Sequence, residues 1–268
     1  MADQTDTTPV APNWPDFVRK VRARTPARLL VGRAGAAYST STQLELRESH
    51  ATARDAVRSE LDIRRTFHDE FRRQWGLFEV STRAKNKEEY LHRPDLGRHF
   101  DDSAREEILA RCRTASDLQI AIGDGLSVPA VALQVPPLLP LLSREAMGRN
   151  WTVGQIFVVR YCRVGILNEI GDLLRPTVAV LLIGERPGLA TVESLSAYMA
   201  YRPSAAHTDA NRNLVSNIHS RGLTTDQAAA SILNTAERMM TAKTSGCRLE
   251  DRSPQARALE GAEFKPPT

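Results

Sequence analysis

Two short glycine-rich stretches sit where a ligand could be held: Gly123-Asp124-Gly125-Leu126-Ser127 and Gly184-Glu185-Arg186-Pro187-Gly188. Each follows a run of apolar residues that reads as a buried strand. In an open parallel sheet, ligands bind beyond the carboxyl ends of the strands, where loop amides and helix N-termini converge. Glycine lets the backbone approach a ligand closely, and Asp124, Glu185 and Arg186 would bring polar side chains to that edge. The same residues also suit tight turns with solvated charges, and both readings stand at this level. A third stretch, Arg160-Tyr161-Cys162-Arg163-Val164, leaves an intervening strand beside them.

Other chemistry is excluded by pattern. No G-x-G-x-x-G follows a strand and no G-x-x-x-x-G-K-[ST] occurs, which argues against dinucleotide and P-loop nucleotide binding. Ser127 lacks the G-x-S-x-G surroundings of a hydrolase nucleophile, and no histidine stands at metal-ligand spacing from another histidine or a cysteine. Asn217-Ile218-His219-Ser220-Arg221-Gly222 is close to the D-x-H-x-x-G signature of cobalt-ligating histidines. Here the carboxylate that would raise the basicity of the imidazole is missing. His219 is therefore expected to be a loop residue hydrogen-bonded to backbone or ligand, and neither a catalytic residue nor a metal ligand is predicted on this chain.

The elements that must position these loops alternate in type. Apolar runs at 118–122, 156–159 and 178–183 predict strands buried on both faces of a parallel sheet. Helices are predicted over 103–113, 128–135 (ended by Pro136-Pro137), 166–174, 192–201 and 224–243. The last opens with a capping box, Thr224 and Gln227, and closes at Gly246. Before residue 101 the chain reads as mainly helical, with helices over 43–62 and 64–75, a short strand at 77–80, and an extended piece running into a loop at 90–98. The fold class expected is α/β. A mainly helical N-terminal subdomain, 28–100, precedes a Rossmann-like, doubly wound parallel-sheet domain, 101–247; a disordered basic tail, 1–27, and a flexible tail, 248–268, flank them.

Composition agrees with a soluble globular protein: 268 residues, 41% hydrophobic and 25% charged. An eight-fold (β/α) barrel alone takes about 250 residues, so the chain has no room for a barrel and much else. A net charge of +4, with its dense basic stretch confined to Arg19–Arg28, does not suggest nucleic-acid binding. Three scattered cysteines form no C-x-x-C pair and fit a reducing cytoplasm, and no apolar secretion segment follows Met1. The longest apolar stretch, 126–142, is broken by Gln134 and four prolines and falls short of a membrane span.

Together these segments resemble the small (light) subunit of ethanolamine ammonia-lyase. The matching residues are Gly32-Arg33-Ala34-Gly35, Arg93-Pro94-Asp95-Leu96-Gly97-Arg98, Ser116 to Ser127, Val159-Arg160-Tyr161 with Arg163-Val164, Glu169-Ile170-Gly171, Gly184 to Leu189, Glu193-Ser194-Leu195-Ser196 and Ser216-Asn217-Ile218-His219. They run in the family's order over about residues 28 to 246. The resemblance implies a two-part, adenosylcobalamin-dependent lyase that converts ethanolamine to acetaldehyde and ammonia by a radical mechanism in ethanolamine catabolism. A large barrel subunit would hold the substrate, and this chain would cover the cobalamin at the interface of a hetero-oligomer. It further implies a cytoplasmic location, in some relatives within a bacterial microcompartment.

Three cofactor contacts follow from the resemblance. Val164 would offer a branched side chain to the methyl-bearing corrin. Glu185 would accept hydrogen bonds from its amides or the nucleotide hydroxyls. Leu214 stands where cysteine is common in the family and would keep an apolar contact. Cys162, where glycine is familiar, is a further departure. The competing class is a non-catalytic α/β ligand-binding or regulatory subunit.

Overall fold

The computed structural model describes residues 16–24, 29, 31 and 33–250. In chain order the elements are α1 (Asp16–Arg24), β1 (Arg33–Ala34), β2 (Ala37–Tyr38), α2 (Thr40–Arg58), α3 (Ile63–Thr66), α4 (Asp69–Trp75), β3 (Phe78–Ser81) and α5 (Lys87–His92). Then come a 3-10 turn (Leu96–Arg98), α6 (Asp102–Arg111), β4 (Leu118–Gly123), α7 (Val128–Gly148), β5 (Phe157–Arg160), α8 (Ile166–Leu174), β6 (Val178–Gly184) and β7 (Leu195–Tyr201). A second 3-10 turn (Asp209–Asn211), β8 (Asn213–Ile218), α9 (Thr225–Ala242) and α10 (Cys247–Glu250) complete the series.

Six strands form one sheet in the order β3-β5-β4-β6-β7-β8. The first four are mutually parallel, as their apolar runs predict. β7 is antiparallel to both β6 and β8, so the expected all-parallel sheet is a mixed one. Successive side chains of a strand point to opposite faces, and two cores result. Leu118, Ile120, Val180, Leu182, Ala197 and Met199 pack beneath α7 and α9. Ala121, Val159, Ala179, Leu181 and Ile183 pack with residues of α6 and α8. β6 is buried along its whole length, which is why its sequence is apolar without alternation.

Several expectations are corrected here. Residues 192–201, read as a helix, contain β7. Leu195, Ala197 and Met199 face one core while Ser196 and Tyr198 face the other way, a period of two obscured by good helix formers. β8 has no apolar run and no regular alternation, because its buried residues are Asn213, Val215 and Ile218, and the sequence predicts no strand there. α7 does not stop at Pro136-Pro137 but continues to Gly148. Its buried stripe, Val131, Val135, Leu138, Leu142 and Ala146, holds it against the sheet. The prolines lie on its half-buried and exposed side, where the carbonyls they leave unpaired can meet water.

Residues 90–98 are helical over α5 and the first 3-10 turn rather than extended, and 64–75 divides into α3 and α4. The signal for α5 was Asn86, whose side chain accepts the Glu89 N–H at 2.9 Å, with Glu88 and Glu89 in the first turn. The predicted capping box at Thr224 and Gln227 is present, but α9 ends at a left-handed Lys243, before Gly246. β3 lies within the stretch expected as a helical subdomain, yet it forms an edge of the main sheet, and Leu61 and Phe67 join the α7 core. Of the expected N-terminal tail, Asp16–Arg24 is helix α1. The rest of it, and residues 251–268, lie outside the described residues.

Candidate functional site

The α6 and α8 layer covers the parallel strands, and on the same face of the sheet β7 at Tyr198 and β8 at Leu214 are only partly covered. There Tyr198 is half-buried and stands directly opposite Leu214, which is 48% exposed. Directly opposed residues in an antiparallel pair share a face. The β5–α8 connection brings Val164 to the near side of this face. Val164, Tyr198 and Leu214, together with Arg98, Arg163 and Arg212, line a cavity of about 510 Å³. A neighbouring, more polar cavity of about 540 Å³ shares Arg98, Gly165, Asp209 and Arg212 with it, so the two form one groove along the N-terminal end of α8.

Glu185 caps the end of β6. Its backbone N–H donates to Ser194 O at 3.0 Å, and its Oε1 accepts from Tyr198 Oη at 3.4 Å. Burial, and then the Glu185 carboxylate beside it, raises the Tyr198 hydroxyl above its ordinary pKa, which keeps it a donor. Of the three carried-over contacts, Val164 and Leu214 therefore line one cavity, and Glu185 is tied to it through the tyrosine between them. Arg212 is nearly buried and held in place by Asp209 and by Asn168 Oδ1 at 3.0 Å. Sequence reasoning missed Tyr198 and Arg212. The available signals were the alternation around Tyr198 and the arginine two residues before Leu214.

Three of the loop glycines, Gly123, Gly125 and Gly184, are placed where a side chain would not fit. A Cβ on Gly125 would fall 2.2 Å from Gly184 O, and one on Gly184 would fall 2.0 Å from Ser127 O. The two loops thus touch backbone to backbone, with Leu126 N donating to Gly184 O at 3.0 Å. Asp124, expected to face a ligand, is wholly buried instead. Its carboxylate accepts from Tyr161 N at 2.9 Å and Cys162 N at 2.8 Å, with Lys87 Nζ 3.9 Å away. Burial is the largest influence on both charges, raising the Asp124 carboxyl and lowering the Lys87 amine, and each partly restores the other. Arg186 is exposed.

Ser127 caps α7, accepting from Ala130 N at 3.3 Å, and donates to Val192 O. His219 is buried, and its Nδ1 accepts the Arg221 N–H at 3.3 Å, as expected of a loop residue bonded to backbone. Among the described residues no cluster of three or more His, Cys, Asp or Glu could hold a metal ion, and no helix is long and apolar enough to cross a membrane. Cys112 and Cys162 are buried and Cys247 is exposed, all as free thiols.

Residues 15–250 match the family model described as ethanolamine ammonia-lyase light chain (EutC). The chain is 40% identical over 231 residues to the ethanolamine ammonia-lyase small subunit of Clostridium perfringens, an alignment covering 86% of this chain and 76% of that protein. It is 40% identical over 230 residues to that of Clostridium acetobutylicum, covering 86% of this chain and 93% of the relative. The Listeria monocytogenes small subunit is 39% identical over 231 residues, covering 86% and 77%.

Proposed function

The chain belongs to the ethanolamine ammonia-lyase light-chain family, and on that premise we propose that it is the small subunit of an adenosylcobalamin-dependent lyase acting on ethanolamine. In this reading it works in the cytoplasm and covers the cofactor against a large, barrel-shaped subunit that holds the substrate. The observation that carries the proposal is the partly open patch at Tyr198 of β7 and Leu214 of β8, where Val164 and Leu214 line one cavity and Tyr198 links it to Glu185.

The donor set suits a corrin. Leu214 is a large apolar side chain left 48% exposed in the middle of a groove, a surface that methyl groups would cover. Val164 lies in the same cavity, and the Glu185 carboxylate has acceptor capacity beyond its one bond to Tyr198 for amide or hydroxyl donors. At about 510 Å³ the cavity is in the range that holds a drug-sized ligand, about 300–1,000 Å³, and a corrin with its nucleotide is larger. One side of the cofactor is therefore what this chain can cover, and a second subunit has to cover the rest.

When bound, adenosylcobalamin supplies the radical chemistry of the reaction. The residues of this chain bind, orient and shield: Val164 and Leu214 exclude water from the apolar rim, Tyr198 orients the Glu185 carboxylate, and the parallel strands β4, β5 and β6 carry the loops. No residue of this chain is assigned a catalytic role. The test combines the purified chain with a large subunit of the family, adenosylcobalamin and ethanolamine. Acetaldehyde release and cobalamin uptake should require both chains. A large subunit that takes up cofactor and turns over equally well without this chain would refute the proposal.

A further inference from the structure

Val164 follows a piece of backbone that the sequence alone would not place. Tyr161, three residues before it, has φ +55°, the left-handed region that is unfavourable for a bulky side chain. Such a conformation persists only where the surroundings fix it. Here every polar main-chain group from Tyr161 to Arg163 is engaged. The N–H groups of Tyr161 and Cys162 both donate to Asp124, at 2.9 and 2.8 Å. Tyr161 O accepts from Thr82 Oγ1 at 3.0 Å, and Cys162 O accepts from Tyr90 Oη at 3.0 Å. Arg163 N donates to Gly97 O at 2.8 Å, and Arg163 O accepts from Ile166 N at 3.0 Å.

We infer that Asp124 is a positioning residue for the cofactor: its buried carboxylate holds the Tyr161–Arg163 backbone in the strained course that puts Val164 on the groove. This rests on the reading of the groove given above. A buried carboxylate is a poor device for stability alone, because its desolvation offsets much of what its partners return. It is a good device for geometry, since two oxygens accept two successive amides and fix both peptide planes. Lys87 supplies the compensating charge 3.9 Å away and donates to Gly125 O at 3.2 Å. That ties the same centre to the loop packed against Gly184, next to Glu185. One buried pair therefore sets the relation between two of the three contact positions.

The test uses the assembled complex of this chain with its large subunit and reads adenosylcobalamin binding by absorbance titration. Asp124→Asn keeps the volume but sets an NH2 group against one of the two amides. Its Kd for the cofactor should rise about tenfold, while kcat at saturating cofactor and the KM for ethanolamine stay within about twofold. Ile108→Val in the α6 core should lower the melting temperature without moving the cofactor Kd. Val164→Ala should add little to the Asp124→Asn penalty, because both act through one contact, whereas Leu214→Ala should add in full. Tyr90→Phe removes the donor to Cys162 O and reads the same clamp, at about threefold, should the Asn variant fail to fold. A wild-type complex with no affinity for the cofactor would overturn the functional reading and this inference together. Wild-type affinity with an unchanged Kd in Asp124→Asn, or in Tyr90→Phe where that variant is used, would overturn the inference alone, as would full additivity with Val164→Ala.

Discussion

Tyr198 on β7 donates to Glu185 at the end of β6, across 3.4 Å, and so turns a carboxylate that would otherwise be a loop charge into an oriented acceptor at the partly open patch. No lysine or arginine forms a salt bridge with Glu185 among the described residues, so its remaining lone pairs stay free for amide or hydroxyl donors. Glu185→Ala should weaken adenosylcobalamin binding to the assembled enzyme about tenfold, the worth of one hydrogen bond to a charged group, and leave subunit assembly intact. Tyr198→Phe keeps the ring and loses only a long hydrogen bond, so about a twofold effect is expected. An unchanged titration curve for Glu185→Ala would remove Glu185 from the site.

Leu214 and Leu182 are the same residue type in opposite circumstances. Leu182 is fully buried in β6, whereas Leu214 is 48% exposed on β8. Leu182→Ala should cost about 2–5 kcal/mol of folding stability through the cavity it leaves. Leu214→Ala should cost less than about 1 kcal/mol, since the side chain is already half exposed and the space it leaves is open to solvent. Its effect should appear in cofactor affinity, and Leu214→Lys should reduce that affinity further by setting a solvated charge against an apolar rim. A large drop in melting temperature for Leu214→Ala would mean that this residue is structural.

The parts of this fold that were legible in the sequence are those where one pressure acts alone. β6 is buried on both faces and reads as a continuous apolar run, and the N-terminus of α9 is written in Thr224 and Gln227. The parts that misled are those where two pressures compete. Tertiary burial carried α7 through three prolines, and the helix-forming alanines and methionine of β7 hid its alternation. The site was legible to a different degree. Val164 and Leu214 came from family resemblance alone, and Glu185 from both resemblance and pattern; pattern reasoning also pointed to Arg186, which is exposed, and to Asp124, which lies inside the protein. A charged residue in a loop after a strand reads as ligand-facing, and only the three-dimensional course of Tyr161 and Cys162 reveals it as an internal clamp.

Protonation of His219 should be visible in folding. Burial is the main cause lowering its pKa below the ordinary 6.5, and the nearby Arg221 adds to it. Its Nδ1 also accepts the Arg221 N–H, which a protonated ring cannot do. A histidine with a depressed folded value contributes stability that is complete above the unfolded pKa and is lost as pH falls through that value toward the folded one. The melting temperature should therefore fall as the pH drops from above the ordinary histidine value of 6.5 to below it. His219→Asn, whose side-chain oxygen can replace Nδ1 as acceptor, should flatten that fall. His207, lowered by burial and then by Arg212, contributes in the same direction and should leave a residual slope. An identical pH profile in the Asn variant would count against His219 as a source.

Gly184 and Gly188 bracket the Glu185 loop and look equivalent in sequence, but they differ in what surrounds them. A methyl group on Gly184 would lie 2.0 Å from Ser127 O and 2.8 Å from Asp124 O, both backbone atoms that cannot swing aside. A methyl group on Gly188 would meet only Ala190 N, at 3.9 Å. Gly184→Ala should therefore destabilise the chain by about 1–3 kcal/mol or more, as overpacking does, and displace Glu185 with the loop. Gly188→Ala should stay within about 0.5 kcal/mol of the wild type by thermal melting. Its cofactor affinity then separates the two uses of glycine considered from the sequence. If Gly188→Ala also binds cobalamin normally, Gly184 serves packing, position 188 has no need of glycine, and the ligand meets side chains alone. A stable Gly188→Ala variant that binds poorly would place the loop backbone itself against the cofactor.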